Sequence, residues 1–211
     1  MLSRFMVLVS CLLFVSAGLA SPQRDAKTFG ERVYKLHQYI MAQHEVRTTS
    51  KNGGYGGIKG DPDFYKQVNY YDKKSGLLLS MIQWEIKNPE NVHTIEVYIR
   101  DASGKVIRDY TAAYLPVRRK APFQTLVGFY DNRDNLSAYR QFDASGDLLL
   151  EECKGIWKGK KFRIVYEDYE VPDDPKTIPD ETERAAYSTC FSKLPNHPGK
   201  YIDPMAEVAA R

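Results

Sequence analysis

The sequence predicts a mainly β (α+β) protein, with an antiparallel meander sheet, one N-terminal amphipathic helix packed on it and a short C-terminal helix. In residues 94–110, Ile95, Val97 and Ile99 alternate with polar or amphipathic residues, as in a strand with one buried face. The tetrapeptide Asp101 to Gly104 separates this run from the next and has the composition of a hairpin turn. The same four residues recur at 143–146, which indicates a series of hairpins.

The first 20 residues have the pattern of a secretory signal peptide. Arg4 precedes an apolar run over 5–15, and small residues at Gly18 and Ala20 favour cleavage after Ala20. The run is shorter than the roughly 20 apolar residues that a membrane helix needs, so we expect no transmembrane segment after signal removal. The predicted location is periplasmic or secreted. The alternative is a lipoprotein anchored through Cys11, since Leu8 to Cys11 resembles a bacterial lipobox.

The charge balance of the remaining chain gives no indication of a nucleic-acid partner. Removing the signal leaves 29 basic and 27 acidic residues. Binding to phosphate backbones needs clustered positive charge. The short basic patches at 118–120 and 158–163 are typical of solvated loops, so we predict no nucleic-acid binding.

Residues 21–66 are predicted to form a helix followed by a glycine-rich connector. Thr28 and Glu31 have the spacing of a capping box that would start the helix, which would end near Gln43. Apolar residues at Val33, Leu36 and Ile40 would face the sheet. The glycine-rich stretch 53–60 lacks the Gly-Lys-Ser/Thr ending of a phosphate-binding loop, so a flexible connector is predicted.

Residues 67–171 are predicted to form the antiparallel β domain. The run 77–86 has apolar residues at both alternations and is the candidate for the central strand. Whether the sheet stays open or curls towards a half-barrel is left undecided by the pattern. Over about 70–150, the repeated aromatic-Asp-polar-Gly-apolar pattern resembles the short hairpin repeats of YD-type and MORN-variant proteins, and no family is assigned from it.

Residues 172–211 are predicted to form a tail rich in proline and acids. Asp180 and Glu183 have the spacing of a helix start, and the last residues, 195–211, are expected to be extended and mobile. Cys153 and Cys190 are the two cysteines left after signal removal, and in an exported protein an even pair predicts a disulfide. Two buried free thiols are the alternative.

No catalytic residue, metal ligand or cofactor is predicted. The sequence lacks Gly-x-Ser-x-Gly, His-Glu-x-x-His and Cys-x-x-Cys. His37 and His44 lie seven residues apart, whereas paired helical ligands are usually three or four apart. The carboxylates over 167–183 lack the spacing of a calcium loop.

The leading functional hypothesis is a non-enzymatic, exported interaction module that docks onto a protein partner or an envelope assembly. The alternatives are a binder of a small ligand, glycan or lipid, and an enzyme of unrecognised type. Tyrosine is abundant, with 15 among 211 residues, and tyrosine and tryptophan are favoured at interfaces. The candidate binding residues are Tyr55, Tyr98, Tyr110, Tyr114, Trp84 and Trp157.

Overall fold

The fold is a single antiparallel sheet covered on one side by helices. The computed structural model describes residues 22–55, 62–116, 119–133, 135–172 and 174–209. The predicted signal peptide and Cys11 therefore lie outside the described residues. The described strands are β1 (Val46–Gly54), β2 (Asp63–Asp72), β3 (Leu78–Glu85), β4 (Val92–Arg100), β5 (Val106–Ala113), β6 (Gln124–Arg133), β7 (Leu136–Asp143), β8 (Leu148–Trp157) and β9 (Lys160–Glu167). The described helices are α1 (Pro22–Gln43), α2 (Glu181–Phe191) and α3 (Ala206–Ala209).

Each strand pairs with the strand that follows it in the sequence, so the sheet is a nine-stranded meander. The strand order runs from β1 to β9 without a crossover, and every pair is antiparallel. In the described part of the chain β1 and β9 do not pair with each other, so the sheet is not closed. The predicted fold class is confirmed, and the question of closure is decided in favour of an open sheet.

One side of the sheet, here called the packed face, carries the core. Ile95, Val97 and Ile99 of β4 are buried, as their alternation predicted. The register places Val97 beside Tyr110 of β5, and Tyr110 beside Val127 of β6, so the core continues across adjacent strands. Helix α1 covers this face with the predicted stripe of Val33, Leu36 and Ile40, joined by Phe29.

Helix α1 begins earlier than predicted. It starts at Pro22 rather than near Thr28, so Thr28 lies inside the helix and does not cap it. The spacing of Thr28 and Glu31 was misleading because the same residue types are tolerated on an exposed helix surface, and both are exposed. The predicted end at Gln43 is confirmed.

The segment predicted as a connector contains an additional strand. Val46 to Gly54 form β1, which pairs with β2 along its whole length. The sequence prediction was wrong here because β1 is an edge strand with most side chains in water, so it shows no apolar alternation. The candidate central strand was also misplaced, since β3 is third from one edge and β5 lies at the centre of the sheet.

The C-terminal segment is held against the packed face by a disulfide and a buried ion pair. Asp180 caps α2 by accepting a hydrogen bond from the Glu183 amide, as predicted. The disulfide between Cys153 and Cys190 ties α2 to β8. The prediction that 195–211 would be extended and mobile was wrong for 195–209, because α3 places Glu207 in a buried ion pair with Arg108 of β5, and residues 210–211 lie outside the described residues.

Candidate functional site

The opposite side of the sheet, here called the open face, carries a polar cleft. The register brings Glu96 of β4, Asp109 of β5 and Tyr130 of β6 to the same side of the sheet. The side chains of five consecutive strands converge there on a cleft of about 410 Å³. The residues that line the cleft are Glu96, Asp109, Thr111, Leu126, Tyr130, Ser137, Tyr139, Gln141, Glu152 and Lys154.

Asp109 forms the floor of the cleft. Asp109 is only 4% exposed, and its Oδ1 atom has no hydrogen-bond partner among the described residues. Gly128 of β6 is the residue paired with Asp109 on the neighbouring strand. A Cβ atom at this position would lie closer to Asp109 Oδ1 than van der Waals contact allows. The glycine therefore leaves the space that the Asp109 carboxyl occupies.

Burial raises the pKa of Asp109 to about 7, and repulsion from the Glu96 carboxylate adds to the effect. The neighbouring Tyr130 hydroxyl acts in the opposite direction because it favours the charged form. Burial also raises the pKa of Glu96, against the influence of the Tyr98 hydroxyl. Near neutral pH the protonated and the ionised forms of the Asp109 carboxyl are therefore both populated.

Three tyrosines surround this carboxyl pair. The rings of Tyr130 and Tyr139 are 4.6 Å apart between centroids and tilted by 41°. Gln141 Nε2 donates a hydrogen bond of 2.7 Å to the Tyr139 hydroxyl. Burial raises the pKa values of Tyr98, Tyr130 and Tyr139, so each hydroxyl keeps its proton. The cleft thus combines two weakly acidic carboxyls with aromatic walls and neutral hydroxyls.

The charge of the cleft is only partly balanced by the protein. Glu152 at the rim is paired with Arg163, at 3.1 Å from Nε to Oε1, and lies 3.8 Å from the ammonium of Lys154. By contrast, the described residues contain no ion pair to Glu96 or to Asp109. A proton or an external cation is needed to neutralise these two carboxyls.

A shallower depression continues from the cleft along the open face. It shares Tyr130 and Ser137 with the cleft and includes Tyr98. Lys105 borders this depression and donates a hydrogen bond to the Asn132 carbonyl, whereas the guanidinium of Arg133 pairs with Asp131 and donates to carbonyls of α2. The open face therefore carries carboxyls in the cleft and the ammonium group of Lys105 at the depression beside it.

The six candidate binding residues from the sequence do not form one site. Tyr98 lies on the open face beside the cleft. Tyr110 is fully buried on the packed face, where its hydroxyl donates to Glu207. Trp84 and Tyr114 share a groove of about 420 Å³ beside α1.

The other two candidates are isolated from the cleft and from each other. Tyr55 packs edge-on against Phe64, with ring centroids 5.1 Å apart. Trp157 lies at the β8–β9 turn under the ammonium of Lys158. These positions leave Tyr98 as the one candidate that borders the acidic cleft.

Sequence reasoning missed Asp109 and Glu96, which the structure places at the centre of the cleft. The alternation of Ile95 and Val97 places Glu96, which lies between them, on the side of β4 away from the core, but it does not reveal a cleft. A weak indication was present for Asp109, since a carboxylate in the middle of a β strand is uncommon. Its partner Gly128 becomes apparent only when β5 and β6 are in register.

No family model, curated protein or solved structure matches this chain. Among the described residues, none of the helices is both long and apolar enough to cross a membrane. The same part of the chain contains no cluster of three or more histidine, cysteine or acidic side chains suited to a metal ion.

Proposed function

We propose that this protein is an exported binding protein whose open face receives a small polar ligand in the cleft above Asp109. The observation that carries the proposal is the unpartnered Oδ1 atom of Asp109, buried at the bottom of that cleft. An unsatisfied buried acceptor costs about 1 to 3 kcal/mol. A fold that retains such an atom within a cleft has a group ready to bind a donor from outside.

The size and lining of the cleft support a small ligand. Ligand sites commonly have volumes of about 300 to 1,000 Å³ and combine aromatic walls with a few convergent polar groups. The cleft, at about 410 Å³, falls within this range. Its aromatic walls are Tyr130 and Tyr139, and its convergent polar groups are Asp109, Glu96 and Gln141.

The disulfide supports the exported part of the proposal. Disulfides persist in oxidising compartments such as the periplasm and the extracellular space. The bond between Cys153 and Cys190, together with the signal-like pattern over 1–20, favours a periplasmic or secreted protein.

Nuclear magnetic resonance of the mature chain with isotope-labelled tyrosine rings would test the binding function. The probes would be a small library of sugars, amino acids, amines and dicarboxylates. We expect a bound probe to shift the ring signals of Tyr98, Tyr130 and Tyr139. Tyr34 and Tyr166 serve as internal controls because they lie outside the cleft. Shifts confined to such outside rings, or no shift with any probe, would contradict the proposal.

Docking onto a protein partner, the leading hypothesis from the sequence, is our second proposal here, because the meander leaves β1 and β9 as edge strands. Most side chains of β1 are exposed and polar, which is typical of edges protected against pairing. Recovery of a stoichiometric partner from native envelopes, lost when β1 carries a proline at a paired position, would favour docking over ligand binding. An enzyme of unrecognised type stays an untested alternative, which hydrolase screening of the mature chain would test.

A further inference from the structure

Among the described residues, no lysine or arginine forms an ion pair with the Glu96 or Asp109 carboxyl. Arg100 is near but turned away, since its guanidinium donates to the carbonyls of Leu78 and Gly104. Arg108 neighbours Asp109 in sequence but lies on the packed face with Glu207. Each nearby arginine is therefore already engaged elsewhere.

The lysines next to the cleft are engaged as well. Lys154 at the rim is next to Glu152, and Lys105 donates to the Asn132 carbonyl. Among the described residues, the titratable groups that face Asp109 are the Glu96 carboxyl and the hydroxyls of Tyr98, Tyr130 and Tyr139. None of these can supply a positive charge.

The shape and lining of the cleft favour an organic cation over a metal ion. Hard divalent ions prefer six or more oxygen ligands, and the described residues offer no cluster of three suitable side chains. An ammonium group, in contrast, is satisfied by a few carboxylate and hydroxyl acceptors. It also gains from a nearby aromatic face, by about 0.5 to 2 kcal/mol for each cation–π contact. The rings of Tyr130 and Tyr139 line the cleft together with the carboxyls.

Resting on the proposed function, we infer that the cleft binds a small organic amine, whose ammonium group is held by Asp109 and Glu96 beside the mutually packed rings of Tyr130 and Tyr139. The space is larger than an ammonium group alone requires, so the remainder of the ligand extends along the cleft. Gln141 Oε1 remains as an acceptor because its amide nitrogen donates to Tyr139. The amine is therefore recognised by charge, by aromatic contact and by acceptors.

Isothermal titration of the mature chain with three probes of similar length would test the amine assignment. The probes are cadaverine, which carries ammonium groups, 1,5-pentanediol, which is neutral, and glutarate, which is anionic. We expect saturable binding of cadaverine alone at pH 8. The affinity is expected to fall about 30-fold at pH 5.5, because a carboxyl with a pKa of about 7 is then only a few per cent ionised.

Two variants distinguish binding in the cleft from general electrostatic attraction of cadaverine to the protein. Asp109→Asn removes one charge without changing the side-chain shape and is expected to weaken cadaverine binding at least 10-fold. Glu45→Gln removes the same charge from a side chain that is 85% exposed at the start of β1, and should leave binding unchanged. Equal effects of the two variants would overturn the assignment, as would cadaverine binding that Asp109→Asn leaves intact.

The outcomes distinguish this inference from the function on which it rests. If pentanediol or glutarate binds and shifts the cleft tyrosines while cadaverine does not, the protein is a ligand binder and the amine class is wrong. If no probe of any charge shifts the cleft tyrosines, both the amine class and the proposed function are overturned. If Asp109→Asn failed to fold, Tyr139→Leu compared with Tyr139→Phe would provide the test. Loss of cadaverine binding only in the leucine variant supports the aromatic contact, and equal binding by both contradicts it.

Discussion

Arg140 of β7 and Glu151 of β8 lie opposite each other on the packed face and form an ion pair whose side chains are 5% and 0% exposed. Glu151 also accepts a hydrogen bond from the Tyr187 hydroxyl of α2, at 3.0 Å. Arg140 donates to the carbonyls of Leu194 and Pro195 beyond that helix. A single buried pair therefore links the sheet to the C-terminal segment.

We expect Glu151→Gln to lower the free energy of unfolding by about 3 kcal/mol, because it leaves the buried Arg140 charge without a counter-ion. Urea unfolding at pH 7 would measure the change. The control is Glu31→Gln, which breaks a pair with Lys27 whose side chains are about 60% exposed, and it should cost less than about 1 kcal/mol. A similar small cost for both variants would contradict the structural role of Arg140 and Glu151.

Reduction of the disulfide between Cys153 and Cys190 should destabilise the fold by up to about 4 kcal/mol. The bond joins residues 37 positions apart, and its loss restores the conformational freedom of that loop in the unfolded chain. Urea midpoints with and without dithiothreitol would give the difference. The Cys153→Ala, Cys190→Ala double variant should be insensitive to the reductant. A reductant effect of equal size in that variant would show that another cause is at work.

Asp109 is expected to make the protein less stable as the pH rises. The folded state holds the Asp109 proton with a pKa of about 7, above the ordinary value of 3.8 that applies to the unfolded chain. Its favourable contribution is fully present below about pH 4 and is lost as the pH rises through 7. Integrating between the two pKa values gives a penalty on the order of 4 kcal/mol above pH 7.

Comparison of Asp109→Asn with the parent protein at pH 4 and pH 8 would test this penalty. The asparagine variant should be the more stable protein at pH 8, and the advantage should shrink towards pH 4. Glu45→Gln is the matched control, because an exposed carboxyl should show no such trend. An advantage of Asp109→Asn that is equal at both pH values would argue against an ionisable group buried in the cleft.

Tyr110→Phe should cost about 1 to 3 kcal/mol, because it removes the hydroxyl that donates to the buried Glu207 carboxylate at 2.8 Å. Chemical unfolding would measure the loss. Tyr166→Phe is the control, since its hydroxyl bonds to Glu183 at an exposed position and should contribute less. Tyr110→Phe is also expected to leave ligand binding in the cleft unchanged, because Tyr110 lies on the packed face. A loss of binding with no loss of stability would place Tyr110 in a binding role instead.

The sheet could be predicted from the sequence because its inner strands follow a local rule. Ile95, Val97 and Ile99 alternate, and the turns at 101–104 and 143–146 contain glycines at positive φ, at Gly104 and Gly146. Asp180 was recognised as a cap for the same reason, since its hydrogen bond reaches only three residues along the chain. Local signals of this kind determine most of the meander.

The cleft and the packing of the C-terminal segment on the sheet could not be predicted, because both depend on contacts between residues far apart in the sequence. Asp109 meets Gly128 only through the register of β5 and β6. Glu207 meets Arg108 across 99 positions of sequence, so nothing near residue 207 reveals that the tail is held in place. The strand β1 was missed for a different reason, since an edge exposed to water carries no apolar pattern.

The meander order has a consequence for how the chain folds. Because every strand pairs with its immediate predecessor, most of the sheet can form from contacts between neighbouring segments, which favours rapid folding. The contacts that span the sequence, such as Arg108 with Glu207, involve residues that are synthesised after all nine strands. We expect the sheet to assemble strand by strand during synthesis. The C-terminal segment would then pack against the packed face after the sheet has formed. Pulse-labelled hydrogen exchange that found α2 protected before β2 to β5 would reverse this order.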